Sequence, residues 1–341
     1  MTISGAAHIH GVLFLDLNAI EKNQIEKGNF SFKYLNAALE TVSNDIVPSS
    51  IEKQSISDFI DKYISCSLQE PMTRDKALTL QQHVHSRACE RPGTNCRFYF
   101  PQLPSLHTML AVPTRITCED IEKRTELHSH IKAVLGRVKK VLENNETMER
   151  INQVHKSDIE KLFEVKSLAE RAKRIIEDPL FRDQILTLKA EKKSGLYTTQ
   201  KFGDRNIENL KHLYNTYDGK AKQLAKRVPE WREARLLEVL YEADIIELLG
   251  IEEDLELNED MRVEDKNCQL LRKYHELLSH SMKGFAAVLR RDIDEVWTNS
   301  FNHEWLEIWD SNLDVQIALD MYAIVTYITD YYLKVSDNEN E

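Results

Sequence analysis

No run of about 18 apolar residues, the length that a membrane-spanning helix needs, occurs in the 341-residue chain. Glycine (10) and proline (8) are sparse, which argues against a low-complexity chain or a turn-dense β-sandwich. Five cysteines over this length do not make a disulfide framework. The expectation is therefore an intracellular, reducing compartment, either nucleus or cytoplasm. The opening stretch MTISGAAHIHGVLFLDL lacks the basic flank and cleavage site of a secretion signal. The pattern G-x-x-x-x-G-K-[ST] is missing throughout, so ATP hydrolysis by a P-loop is excluded for this chain. What remains is 42% hydrophobic and 30% charged residues, a balance that suits a helix-rich folded protein.

A net charge of −11 argues at first against a nucleic-acid partner, but the charge is uneven. Met72 to Lys140 carries twelve Lys and Arg against six Asp and Glu. Glu230 to the C-terminal residue carries ten against twenty-seven. Phosphate contacts are local and are screened beyond roughly 10 Å, so a basic segment in an acidic chain can still form a DNA-binding face. The same pattern also fits solvated helix faces.

Hydrophobic patterning divides the chain. Residues 1–118 open with a strand signal at His8–Leu15 and continue with amphipathic helices over 32–42 and 55–65, with Ser57 as the expected cap of the second. A Cys/His cluster follows over 83–96, then the extended, Pro-punctuated stretch FYFPQLPSLHTMLAVP. Residues 119–290 read as a helical insertion, with helices over 119–143, 158–177, 230–250 and 266–291 and with breaks at Asp178-Pro179 and Val228-Pro229. Residues 192–206 and the acidic 249–266 read as loops. Residues 291–334 form an aromatic-rich segment in which 314–333 is expected to be a helix, and 335–341 an acidic, frayed tail.

Three constellations carry chemistry. His8 and His10, two apart on a strand, point to the same face and can grip one divalent ion. The same spacing also suits two polar residues near a chain end. Tyr327 and Tyr331 share one face if their segment is helical, with Lys334 beyond them. A phenol with a reference pKa of about 10 needs a metal-polarised phosphate, and a nearby cation helps, before it acts as a nucleophile. The alternative is an aromatic face packed in a core. His83, His85, Cys89 and Cys96 offer two imidazoles and two thiols within fourteen residues, a tetrahedral zinc set with every position filled by protein and hence structural.

These residues lead to a resemblance. GAAHIHGVLFLDL resembles the metal-binding segment of HUH endonucleases, named for two His around a hydrophobic residue. FIDKYISCSL, then HVHSRACERPGTNCRFYFPQLP, and finally FNHEWLEIWDSNLDVQIALDMYAIVTYITDYYLK resemble the segments that follow in Helitron-type, helicase-fused rolling-circle replication proteins of transposable elements and viruses. The four matching stretches (5–17, 59–68, 81–104 and 301–334) cover 81 residues and come in the family's order. The resemblance implies an enzyme that nicks and rejoins single-stranded DNA. His8 and His10, with Gln316 as a third ligand, would hold Mg²⁺ or Mn²⁺. Tyr327 would attack the scissile phosphate to leave a 5′-phosphotyrosine, Tyr331 would serve the return transfer, and Lys334 would steady the phosphate. Arg97 and the basic 72–140 segment would contact the DNA backbone, and Phe98, Tyr99 and Phe100 would stack on bases, with packing in the loop as the alternative for these aromatics. The implied partners are single-stranded DNA and a helicase domain in cis or trans, with no membrane.

The chain departs from the family's pattern. The strands expected ahead of the His pair and the helicase expected after the tyrosines are both missing, and Asp330 stands between the tyrosines where relatives often carry Lys. A fragment, a decayed transposon copy or one piece of a split protein is therefore expected. Two alternatives stand beside the nicking enzyme: a catalytically inactive zinc-containing DNA-binding or scaffolding remnant, and an unrelated helical interaction protein. The expected fold class is α+β, with a small antiparallel sheet that carries the H-x-H strand, a tyrosine-bearing helix, a zinc loop and a large helical insertion.

Overall fold

The computed structural model describes residues 32–85, 89, 96, 98–182, 204–251, 259–282, 284–317 and 319. His8, His10, Arg97, Tyr327, Tyr331 and Lys334 lie outside them.

Apolar residues at helical spacing build the first two helices. Helix α1 (Phe32–Ser43) buries Leu35, Ala38 and Val42. Helix α2 (Ser50–Tyr63) buries Ile56, Phe59 and Ile60. Its cap is Ser49, whose hydroxyl accepts from the Glu52 backbone while the Glu52 carboxylate accepts from the Ser49 N–H. Ser57, the cap expected from sequence, instead lies inside the helix and donates to the Lys53 carbonyl. A reciprocal capping box satisfies two end groups at once, so it sets the start of the helix a turn earlier. After α3 (Arg74–Leu80), the Pro-rich stretch runs irregularly into strand β1 (Met109–Ala111).

Strand β1 pairs antiparallel with β2 (Ala286–Val288), with Met109 opposite Val288 and Ala111 opposite Ala286. This two-stranded ribbon divides two cores. Leu110, Ala287, Phe285 and Leu289 face α1 and α2, whereas Met109, Ala111, Ala286 and Val288 face the helical body. The alternation is the period-two geometry of a strand with both faces covered. Among the described residues the architecture is thus mixed, mostly helical with a small antiparallel sheet, in keeping with a broad α+β class.

The helical body hangs from the ribbon. It consists of α4 (Thr114–Thr117), α5 (Ile121–Glu143), α6 (Asn145–Ile151), α7 (Lys156–Glu177), α8 (Asp204–Ala225), α9 (Val228–Glu242) and α10 (Glu259–Ser279). Helices α5, α6, α9 and α10 bury one continuous core around Val138, Leu142, Leu240 and Tyr274. Helices α7 and α8 form a second layer around Leu162, Val165, Ala221 and Trp231. The Tyr274 hydroxyl, fully buried, donates to the Pro104 carbonyl at 2.8 Å and so ties α10 to the extended stretch before β1.

Several boundaries differ from the sequence reading; α9 ends at Glu242 rather than at 250, and α8 begins at Asp204, inside the expected loop 192–206. Residues 259–266 belong to α10 rather than to an acidic loop, because helix propagation adds one hydrogen bond per residue and charged side chains do not oppose it. The same helix ends at Ser279 rather than 291, and pairing with Met109–Ala111 draws the following residues into β2. Residues 314–317 are not helical: the Leu313 N–H donates to Gln81 Oε1 and the Val315 N–H to the Ser300 carbonyl, at 3.2 and 3.0 Å. No helix among the described residues is long and apolar enough to cross a membrane.

Candidate metal centre

Two short antiparallel contacts hold the ligand-bearing segment. Beyond α3, Gln82 bridges Thr298, the His83 N–H donates to the Trp297 carbonyl at 2.7 Å, and the Asn299 N–H donates to the Gln81 carbonyl at 2.8 Å. Extended backbone places side chains two apart on one face, so His83 and His85 converge. Their rings meet edge to face at 5.1 Å.

The loop then returns Cys89 and Cys96 to the same point. One donor atom from each of His83, His85, Cys89 and Cys96 lies within 4.8 Å of every other. Cys89 Sγ is 3.5 Å from His85 Nδ1, and Cys96 Sγ is 3.4 Å from His83 Nε2. A tetrahedron with Zn–S of about 2.3 Å and Zn–N of about 2.05 Å has S···N edges of about 3.5 Å, which these two distances match. Both cysteines are buried, which removes competing water from the sulfur side. Burial, followed by the neighbouring His85, lowers the His83 pKa and favours the neutral ring that a metal requires. The four residues expected from sequence thus form a cluster that can hold a metal ion such as zinc.

Aromatic rings brace the ligands. His83 stacks on Phe100 at 4.3 Å with planes 6° apart, and His85 meets Trp297 edge-on at 5.3 Å. Such support fixes ring orientation, as outer contacts of metal-bound histidines commonly do. Phe98 and Tyr99 follow the last cysteine and lie exposed beside the centre, whereas Phe100, expected with them to stack on bases, is buried against His83.

Sequence reasoning missed the buried ionic network behind Trp297. Arg235 (2% exposed) on α9 pairs with Asp292 (5% exposed) at 3.1 Å and donates to Asn152 at 2.8 Å. Asp292 opens a 3₁₀ turn (Ile293–Glu295) in which the Glu295 carboxylate accepts from the Asp292 and Leu68 N–H groups, both at 2.9 Å. Arg291 donates to the Glu295 and Thr298 carbonyls. The network therefore anchors the strand that holds His83. The one available signal was the dense charge of RRDIDE wedged between an apolar stretch and Trp297.

The divalent-ion site expected at His8, His10 and Gln316 has only Gln316 among the described residues. Its amide is exposed and donates to the Asp314 carboxylate at 3.1 Å. No model of a known protein family, no curated protein and no solved structure matches this chain.

Proposed function

We propose that this chain is the metal-dependent nicking and rejoining region of a Helitron-like rolling-circle replication protein, acting on single-stranded DNA and stabilised by a structural zinc ion. One observation supports the reading most. Three segments that resemble that family, 59–68, 81–104 and 301–334, make contact in their described parts although the first two lie 197 or more positions before the last. Ser65 bridges Phe301, Gln81 receives the Leu313 N–H, and Leu68, Phe301 and Leu306 share one small core.

In this reading His83, His85, Cys89 and Cys96 would hold Zn²⁺, which would supply a structural cross-link for the loop. His8, His10 and Gln316 hold Mg²⁺ or Mn²⁺, which supplies polarisation of the scissile phosphate. The Tyr327 phenol oxygen attacks phosphorus, its proton passes to solvent, and the 3′-oxygen leaves as a hydroxyl. A 5′-phosphotyrosine remains, and Tyr331 serves the second transfer while Lys334 steadies the phosphate. The covalent link conserves the bond energy, so rejoining needs no nucleotide. A helicase partner in cis or trans would supply the single strand.

The test is incubation of the zinc-loaded protein with end-labelled single-stranded DNA and Mn²⁺, read on a denaturing gel. A covalent adduct that disappears in Tyr327→Phe and in His8→Ala/His10→Ala is the expected result. A second reading, a non-catalytic zinc-containing DNA-binding remnant, rests on the closed four-ligand cluster, which needs no catalysis to be useful. Zinc and DNA binding without any adduct would favour it.

A further inference from the structure

We propose that Trp305, Ile308 and Trp309, on the outer face of a short helix, form a docking surface for a second protein that offers an apolar groove with a basic rim. The proposal does not rest on the nicking reading.

The helix is α11 (His303–Trp309), and its inner side is already committed to the fold. Leu306 is completely buried with Leu68 and Phe301. Asn302 caps the first turn: its Oδ1 accepts from the Trp305 N–H at 3.0 Å, and its Nδ2 donates to the Tyr63 carbonyl at 2.8 Å. Lys76 Nζ donates to the Glu307 carbonyl at 2.7 Å, and Asp310, with φ at 52°, ends the helix. Two isolated turns are marginal in water, so these contacts hold a shape that the segment would not keep alone. A helix held in advance loses little freedom when it binds.

The outer side presents the central observation. Trp305 is 42% exposed, Ile308 81% and Trp309 54%. Positions i, i+3 and i+4 share one face of a helix, so the three side chains form one apolar stripe rather than scattered exposures. An amphipathic helix enters a hydrophobic groove with this spacing of anchors, and tryptophan is among the side chains that carry most of the energy of such contacts.

Charge selects the occupant. Glu304 and Glu307, three apart and both exposed, form an acidic edge beside Ile308. Arg174 approaches Glu307 only to 4.0 Å, Lys76 is taken by Asp310 at 2.9 Å, and Glu304 has no ion-pair partner among the described residues. This edge repels a phosphate backbone or an anionic membrane surface, and a second copy packed face to face brings the same carboxylates to the contact. A groove rimmed by Lys or Arg complements it, and complementary rims speed encounter and reject wrong partners.

The experiment uses the full chain and two designed helical-bundle proteins with the same Leu- and Met-lined groove, one rimmed by Lys and the other by Glu, with binding read by calorimetric titration. The Lys-rimmed probe should bind about tenfold or more tightly than the Glu-rimmed one. Ile308→Ala and Trp309→Ala should each weaken that binding about tenfold or more, with little change in melting temperature because both side chains are exposed. Glu304→Lys with Glu307→Lys should reverse the preference between the probes, which general stickiness would not do. Photocrosslinking from Ile308→p-benzoylphenylalanine in an extract of the source cells should yield peptides that combine apolar residues with Lys or Arg. Equal binding of the two probes, no binding of either, full affinity in Trp309→Ala, or crosslinks that are acidic or lacking would each overturn the proposal. A dimer in sedimentation equilibrium that Ile308→Asp dissociates would instead assign the face to a second copy, and weakened oligo-dT binding in Trp309→Ala would assign it to single-stranded DNA; either result overturns the partner named here.

Discussion

Cys96 Sγ lies 3.4 Å from His83 Nε2, thirteen residues away in sequence, and this contact closes the loop on which the exposed aromatics sit. The contact also joins the loop to the rest of the fold, because the His83 N–H is bonded to Trp297. A metal held there would therefore stabilise more than its own loop.

One equivalent of Zn²⁺ should accordingly bind per chain, measured by metal analysis after gel filtration. Cys89→Ala and His83→Ala should each lose it. Chelation should lower the melting temperature, since binding to the folded state alone stabilises it. An unchanged melting temperature after complete zinc removal would show that the cluster does not tie the loop to the fold.

Phe301→Ala should destabilise the protein by about 3–5 kcal/mol in a denaturant titration, the usual cost of emptying a large buried aromatic site. Phe301 is fully buried with Leu68 and Leu306, where the segments 59–68 and 301–317 meet. A loss below about 1 kcal/mol would mean that this junction contributes little.

Asp292→Ala should cost about 3 kcal/mol or more, because buried Arg235 would lose its nearer carboxylate and keep only Asp294 at 3.6 Å. Replacing both, as Arg235→Met with Asp292→Ala, should recover a large part of that loss. Equal damage from the single and double variants, in a denaturant titration, would count against an uncompensated charge as the cause.

Acid should act through His275. Its Nδ1–H donates to the Leu271 carbonyl at 2.7 Å and its Nε2 accepts the Leu106 N–H at 3.2 Å, so the ring is held neutral. Burial pushes its pKa down to about 4. The folded state thus takes up this proton later than the unfolded chain does. The stability is fully present above about pH 6.5 and is lost as pH falls from there towards 4. His275→Gln should flatten that part of the stability–pH curve; an unaltered slope would assign the acid sensitivity elsewhere.

Local spacing made much of this architecture readable. Apolar residues three and four apart announced α1, α5 and α7 to within a few residues, because a helix that must cover one face has to repeat near 3.6. The four metal ligands were equally readable, since His-x-His on an extended chain and two following thiols can converge with few other constraints. The cap of α2 was misassigned because Ser49 and Ser57 are chemically alike, and only the reciprocal bond to Glu52 distinguishes them. The continuation 266–291 was misread because alanine-rich Ala286–Val288 has no compelling local preference, and its partner lies some 175 residues earlier.

By itself, then, the sequence determined the helices α1, α5 and α7, which four residues can share a metal ion, and that no long apolar span is present. Those are properties of neighbours along the chain. Tertiary structure alone decided that β1 and β2 form a ribbon between two cores, and that Arg235 meets Asp292. It alone turned Tyr99 outward on a carbonyl held by Lys139. Each of these depends on groups 40 to 179 residues apart, whose meeting is set by the packing of the whole core and leaves no trace in local periodicity.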